Sequence, residues 1–239
     1  MLIDGDYMEN ELFTVGIVIA DKDEYVHIDK YIGSDATAFE LCGIIGHTAD
    51  IPANGHDIRV RTICSGIGKV NASVAATLLA DGCDMLISAG LSGGFGDAKK
   101  HDIVLGTEFF EHDFDLTAIG YKLSQKPGEN EPIISAKELN DDISKKFPFV
   151  KSGAFVTGDS FISSKEKHDF LKENFDPIAC DMESAAVGYV ASRFDIPFVS
   201  IRMVSDGADD DSAATYTDTL GCDVADRWVK LTFDWIKSL

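Results

Sequence analysis

Short apolar runs rich in β-branched residues alternate with stretches of helical periodicity along nearly the whole chain, and few folds accept that alternation. Residues 13–20, 58–64, 85–89, 103–110, 155–157 and 197–204 read as strands. The last of these has Pro197 at its first position, where no ladder donor is needed. Residues 70–80, 136–147, 165–174 and 183–194 read as helices. Leu220, Val224, Trp228, Leu231 and Trp235 recur at steps of three and four residues that suit an amphipathic C-terminal helix. The pattern predicts one α/β domain over residues 1–239, with helices on both faces of a single sheet and no linker between separate units. Residues 122–134, with Pro127, Gly128 and Pro132, form the longest loop candidate.

Composition narrows the classes of partner. The chain is 45% hydrophobic and 26% charged, enough apolar material for a substantial core. Its formal charge of −20 opposes non-specific binding to nucleic acid or to an anionic membrane. Five cysteines, Cys42, Cys64, Cys83, Cys180 and Cys222, are dispersed without a CxxC pair, which predicts free thiols in a reducing compartment and no structural zinc. The first eleven residues are acidic and lack a basic, then apolar, leader, and no apolar run has the length of a membrane span; the expected location is the cytoplasm.

The chemistry-bearing residues gather in two segments. Cys180-Asp181-Met182-Glu183-Ser184-Ala185-Ala186 reads as an acidic element opening a small-residue helix, and the 197–204 run ends in Ser205-Asp206. Open α/β sheets place ligands at such strand ends, where burial can raise a carboxyl pKa enough to make it a general acid. A helix-start acid and a strand-end turn aspartate account for the same residues equally well. Two glycine-rich stretches leave strands, Ser65-Gly66-Ile67-Gly68-Lys69-Val70-Asn71 and Ala89-Gly90-Leu91-Ser92-Gly93-Gly94-Phe95-Gly96. The first lacks both the third glycine of a dinucleotide fingerprint and the GK[ST] of a P-loop, so tight packing explains it as well as anion binding does.

Taken together, the order of motifs resembles the 5′-methylthioadenosine/S-adenosylhomocysteine nucleosidases of the nucleoside phosphorylase superfamily. The motifs are the 65–72 and 90–94 stretches, His112-Asp113-Phe114-Asp115-Leu116-Thr117-Ala118-Ile119-Gly120-Tyr121, Thr157-Gly158-Asp159-Ser160-Phe161-Ile162, Asp181-Met182-Glu183 and Ser205-Asp206-Gly207-Ala208-Asp209. The resemblance runs from about Val15 to the C-terminus and leaves residues 1–12 as an extension. It implies a three-layer αβα sandwich with a mixed central sheet, no cofactor or metal, a purine nucleoside substrate and a homodimer.

It also implies roles. Asp206 would protonate the purine at N7, with Ser205 steadying it, and Glu24 would activate the attacking water. Glu183 would hold the ribose diol, and Arg202 would position the water and Glu183. Phe161 would stack on the base and the Ile162 backbone would read its edge. Met182 would lie beneath the ribose, and Tyr216 would face the 5′ substituent. Taken alone, Phe161 and Met182 read as core and gap filler, Glu24 as the start of a helix, and His112 as a structural histidine. The Leu91-Ser92-Gly93 turn and Asp181 are expected at the ribose and water side, where Leu91 stands for the serine usual in the family and Asp181 for a glutamate; Asp21 replaces the methionine usual at the start of the acidic loop.

Superfamily members use either water or phosphate. A phosphate dianion needs paired charge-assisted donors; the loop over residues 20–24 carries Lys22 but no arginine, and Ser88 stands near the position of a phosphorylase arginine. Hydrolysis of methylthioadenosine or S-adenosylhomocysteine is therefore expected. The alternatives are another purine nucleosidase, including a futalosine type, a phosphorylase, or a nucleoside-binding protein with weak turnover.

Overall fold

The computed structural model describes residues 12–129, 132–221 and 225–239. Its centre is one mixed sheet of ten strands. In chain order the elements begin with β1 (Thr14–Ile19), α1 (Lys22–Tyr25), α2 (Asp29–Ile32), β2 (Thr37–Leu41), β3 (Ile44–Ala53), β4 (His56–Cys64), α3 (Lys69–Ala80) and β5 (Met85–Gly94). There follow β6 (Ile103–Glu111), a 3-10 turn at Thr117–Ile119, β7 (Ile133–Ile134), α4 (Lys137–Lys146), β8 (Lys151–Thr157), α5 (Lys165–Phe175) and β9 (Ala179–Asp181). The chain ends with α6 (Ser184–Phe194), β10 (Phe198–Asp206), α7 (Ser212–Leu220) and α8 (Arg227–Ile236).

The strand order is β10-β6-β8-β9-β5-β1-β4-β3-β2, and β10 also pairs β5 in parallel, so five of the strands close into a ring. The mixed α/β architecture is as expected; the closure is an addition that strand patterns do not announce. β1 and β5 are buried along their whole length, as strands covered on both faces must be. One face carries α3 and α6, whose Ala72, Ala75, Ala76 and Leu79, and Ala185, Ala186 and Val190, bring helix backbones close to the sheet. The other carries α8, which buries Trp228, Leu231, Phe233 and Trp235. Among the described residues no helix is long and apolar enough to cross a membrane. Cys42, Cys64, Cys83 and Cys180 are free; Cys222 and Val224 lie outside the described residues.

Three features depart from the sequence reading. The stretch Gly90–Gly94 is the second half of β5, which does not end at Ala89. Leu220 belongs to a separate helix, α7, so the C-terminal apolar steps divide between two helices. The β2–β3 hairpin and the single-turn helices α1 and α2 have no counterpart in the periodicity.

Candidate active site

The site forms where β1, β5, β9 and β10 end. β10 runs parallel to β5 in steady register until Val204 faces Ser92; then the register shifts and Asp206 faces Gly93. A bulge of this kind re-aims a side chain, and here it turns Asp206 into a cavity of about 360 Å³. Gly93 makes room for it: a Cβ there would sit 2.8 Å from Cys180 Sγ and 3.3 Å from Asp206 Oδ1.

Asp206 is almost fully buried. Its Oδ1 accepts from the Ala208 amide at 2.9 Å, and its Oδ2 lies 2.7 Å from Ser205 Oγ. Burial pushes the Asp206 carboxyl above its ordinary value, against the opposing pull of those hydrogen bonds. Ser205 Oγ is also 3.1 Å from the Ser92 carbonyl. A hydroxyl has one proton and two lone pairs. Donating to Ser92, it offers a lone pair to a protonated Asp206; donating to Asp206, it serves the carboxylate. The surroundings therefore accept both protonation states.

Glu24 enters from α1, which Asp21 caps by accepting from the Asp23 amide at 2.7 Å. Its Oε2 accepts from the Leu91 amide at 3.2 Å. Burial raises its pKa from 4.5 to about 8; Arg202 opposes the rise and Glu183 adds to it. Arg202, from the middle of β10, is 2% exposed and the most heavily engaged group in the site. Nη2 donates to Ser88 Oγ at 2.8 Å and to Glu183 Oε2 at 3.3 Å, and Nη1 donates to the Leu91 carbonyl at 3.3 Å. Nε pairs electrostatically with Asp181 Oδ2 at 3.2 Å without an aligned hydrogen bond. Burial opposes the guanidinium charge, but Asp181, Glu183 and Glu24 outweigh it and hold it protonated.

Glu183 stands just before α6. Its Oε1 accepts from the Gly68 amide at 3.0 Å, which ties the 65–71 glycine turn to the site. Burial raises its pKa, with Arg202 pulling the other way. Asp181 accepts from Thr157 Oγ1 at 2.7 Å, from the Ser184 and Glu183 amides at 3.2 and 3.3 Å, and from the Ser184 hydroxyl. With those partners and Arg202, the Asp181 carboxylate is saturated.

Residues 14–238 match the family model of the phosphorylase superfamily. The chain belongs to that superfamily. It is 34% identical over 211 residues to a 5′-methylthioadenosine/S-adenosylhomocysteine nucleosidase of Oceanobacillus iheyensis, covering 85% of this chain and 90% of the relative. The 5′-methylthioadenosine/S-adenosylhomocysteine nucleosidase of Neisseria meningitidis, solved with methylthio-immucillin-A, superposes with a TM-score of 0.87 at 30% identity, covering 95% of this chain and all of that one. The futalosine hydrolase of Helicobacter pylori superposes with a TM-score of 0.84 at 26% identity, covering 95% of this chain and 96% of that one.

Every residue that the sequence nominated from the superfamily pattern lines the one cavity: Glu24, Leu91, Ser92, Gly93, Phe161, Ile162, Asp181, Met182, Glu183, Arg202, Ser205, Asp206 and Tyr216. Phe161 is 46% exposed at the cavity mouth and meets the Tyr216 ring edge-on, with centroids 5.8 Å apart. A core phenylalanine would not be so exposed. Leu91 serves the site through its backbone, which any residue supplies, while its side chain packs into the core cluster below β5. Asp21, Ala20, Ile67, Ser160 and Cys180 also line the cavity and were not nominated. Asp21 had a signal, since it opens the acidic loop of Glu24; Cys180 had none beyond its place beside Asp181. His112 is buried against Gly158 and is not part of the cavity wall.

Gly90 supplies a direct test of this packing. Its φ is +154°, and a Cβ there would lie 2.3 Å from Glu24 Oε2 and 2.8 Å from Arg202 Nη1. Gly90→Ala is expected to cost about 2–4 kcal/mol of stability, because the clash falls in a packed, charged cluster. Thermal unfolding checks this; a melting temperature equal to wild type would show that Glu24 and Arg202 do not close over β5.

Proposed function

We infer that the protein hydrolyses the N-glycosidic bond of 5′-methylthioadenosine and S-adenosylhomocysteine, giving adenine and a 5′-thio-substituted ribose. The observation that carries this reading is the pairing of Glu24 and Asp206 in one cavity, both carboxyls raised by burial, with the Glu183–Arg202 pair also in its wall. The roles follow from the chemistry. Asp206, neutral, donates its proton to N7 as the C1′–N9 bond breaks and its electron pair passes into the purine. Glu183 accepts hydrogen bonds from the ribose diol and faces the positive charge that develops on the ribosyl group. Glu24 takes a proton from water as the water oxygen bonds to C1′. The cycle leaves Asp206 ionised and Glu24 protonated, and solvent exchange resets both. Phe161 stacks on the base, the Ile162 backbone meets its edge, Met182 underlies the sugar, and Tyr216 borders the 5′ group. Ser205 steadies Asp206, and the Leu91-Ser92-Gly93 backbone forms the floor beside the water.

Water is the nucleophile in this reading because the arginine of the site is already committed. Arg202 is shared among Asp181, Glu183 and Ser88, so a phosphate dianion would meet carboxylates without free donors to balance them. Adenine release is therefore expected to proceed at full rate in phosphate-free buffer and to yield free reducing sugar. A requirement for phosphate, with a ribose 1-phosphate product, would replace hydrolysis by phosphorolysis.

The assembly inferred is a homodimer in the cytoplasm. Ile67, Val70 and Val74 are exposed along one side of the α3 region, a surface that a second copy would cover, and the dispersed free cysteines suit a reducing compartment.

A further inference from the structure

The cavity holds one carboxylate that neither the mechanism above nor the Arg202 ion pairs engage. Asp21 lies three residues before Glu24, and only half of its carboxylate is spent on local structure: Oδ1 caps α1 through the Asp23 amide. Oδ2 accepts from the Tyr216 hydroxyl at 3.2 Å, on the α7 side of the cavity. Burial raises the Tyr216 pKa, with the Glu24 and Asp21 charges adding to the rise, so the phenol stays a donor. Asp21 forms no ion pair among the described residues, although the site as a whole is crowded with acids: Asp21, Glu24, Asp181, Glu183 and Asp206 share the wall with Arg202. Arg202 is spoken for by Asp181 and Glu183. Nothing on the wall neutralises Asp21, and the adjacent Lys22 is exposed outside the cavity lining.

A lone carboxylate at the edge of an already acidic pocket favours a cation. Its place decides which part of a nucleoside it meets. Asp206 and Phe161 take the base and Glu183 the ribose diol, which leaves the Tyr216–Asp21 corner to the 5′ substituent. We propose that Asp21 selects nucleosides whose 5′ substituent carries a protonated amine, as the homocysteine tail of S-adenosylhomocysteine does beside its carboxylate, over the uncharged methylthio group. The inference rests on the nucleosidase reading and adds a substrate preference to it. An alkyl amine keeps its proton at neutral pH, so the contact is an ion pair, and being made in the ground state it acts on KM more than on kcat.

The test compares methylthioadenosine with a 5′-(aminoalkylthio)-5′-deoxyadenosine, which has the amine and no carboxylate, and with S-adenosylhomocysteine itself. Asp21→Asn keeps an oxygen for the helix cap, and Asp21→Ser provides a second capping variant. Wild type is expected to show a kcat/KM for the amine-bearing substrate about tenfold above that for methylthioadenosine, the size of one partly solvated charge-assisted contact. Both variants should bring that ratio close to one, chiefly through KM, and added salt should lower the wild-type ratio without moving theirs. A wild-type ratio near one, or a ratio that both variants leave within twofold of wild type, overturns the role of Asp21 while leaving the nucleosidase standing. Absence of turnover on all three substrates overturns both.

Discussion

Asp206→Asn is expected to lower kcat by at least two orders of magnitude while the nucleoside still binds. The substitution is nearly isosteric, and the surroundings accommodate it. The amide oxygen can keep the Ala208 N–H, now at 2.9 Å, and the amide nitrogen can donate to Ser205 Oγ while that hydroxyl donates to the Ser92 carbonyl at 3.1 Å. What disappears is the transferable proton. A positioned general acid contributes roughly 10²–10⁴-fold, and adenine leaving as an unprotonated anion is a poor leaving group. The loss should therefore fall on kcat, with the ground-state dissociation constant for methylthioadenosine shifted only a few-fold. Single-turnover kinetics together with equilibrium binding separate the two quantities. Turnover within about threefold of wild type would take Asp206 out of the mechanism and return it to the role of a turn residue that ends β10.

That turn reading was open from the sequence because a strand-end aspartate is common, and what distinguishes this one is tertiary. The bulge between Val204 and Asp206 and the approach of Gly93 have no local signature. The elements legible in advance were those with strong local patterns: β1, β4, β5 and β10 as apolar runs, α3 and α6 as small-residue helices. β2 was invisible because it lies at the sheet edge and buries no side chain fully. β3 carries Pro52, which sits beyond the end of β2, where no second neighbour requires its missing N–H. α1 and α2 are one turn each, too short for a 3.6-residue period to show. Gly90–Gly94 reads as a turn because glycine normally marks one, yet the strand continues and the missing side chains make room for Glu24, Arg202 and Asp206. The site residues were legible only as a pattern of motifs in order. Their convergence on one cavity depends on the closed sheet, which brings the ends of β5, β9 and β10 together.

Glu24→Gln should abolish turnover and at the same time stabilise the fold, by an amount that grows with pH. Loss of turnover follows from the proposed role: glutamine can orient a water but cannot take its proton, so a fall of roughly 10²–10⁴-fold in kcat is expected. The stability effect follows from burial. The Glu24 pKa is raised from 4.5 to about 8 in the folded protein, with burial the largest cause and Arg202 opposing it. Below about pH 4.5 the group is protonated whether the chain is folded or not, and the wild-type side chain carries no penalty. Between 4.5 and 8 the unfolded chain ionises while the folded one holds its proton, so wild-type stability falls as pH rises; above 8 the loss is complete and constant. The shift corresponds to an upper bound on the order of 5 kcal/mol, and about 2–4 kcal/mol is a reasonable expectation after relaxation of the buried site. Glutamine never ionises. Denaturant unfolding at pH 5 and pH 8.5 should therefore give nearly equal stabilities for the two proteins at the lower pH and a clear advantage for the variant at the higher one. Equal stabilities at both values would mean that Glu24 ionises in the folded protein as easily as in water. The same group sets a limb of the pH–rate profile: kcat/KM of wild type should climb with pH as Glu24 loses its proton, with its midpoint near pH 8. Burial of this carboxyl makes it a stronger base than a solvated glutamate, so the residue that weakens the fold at alkaline pH is the one proposed to take the proton of the attacking water.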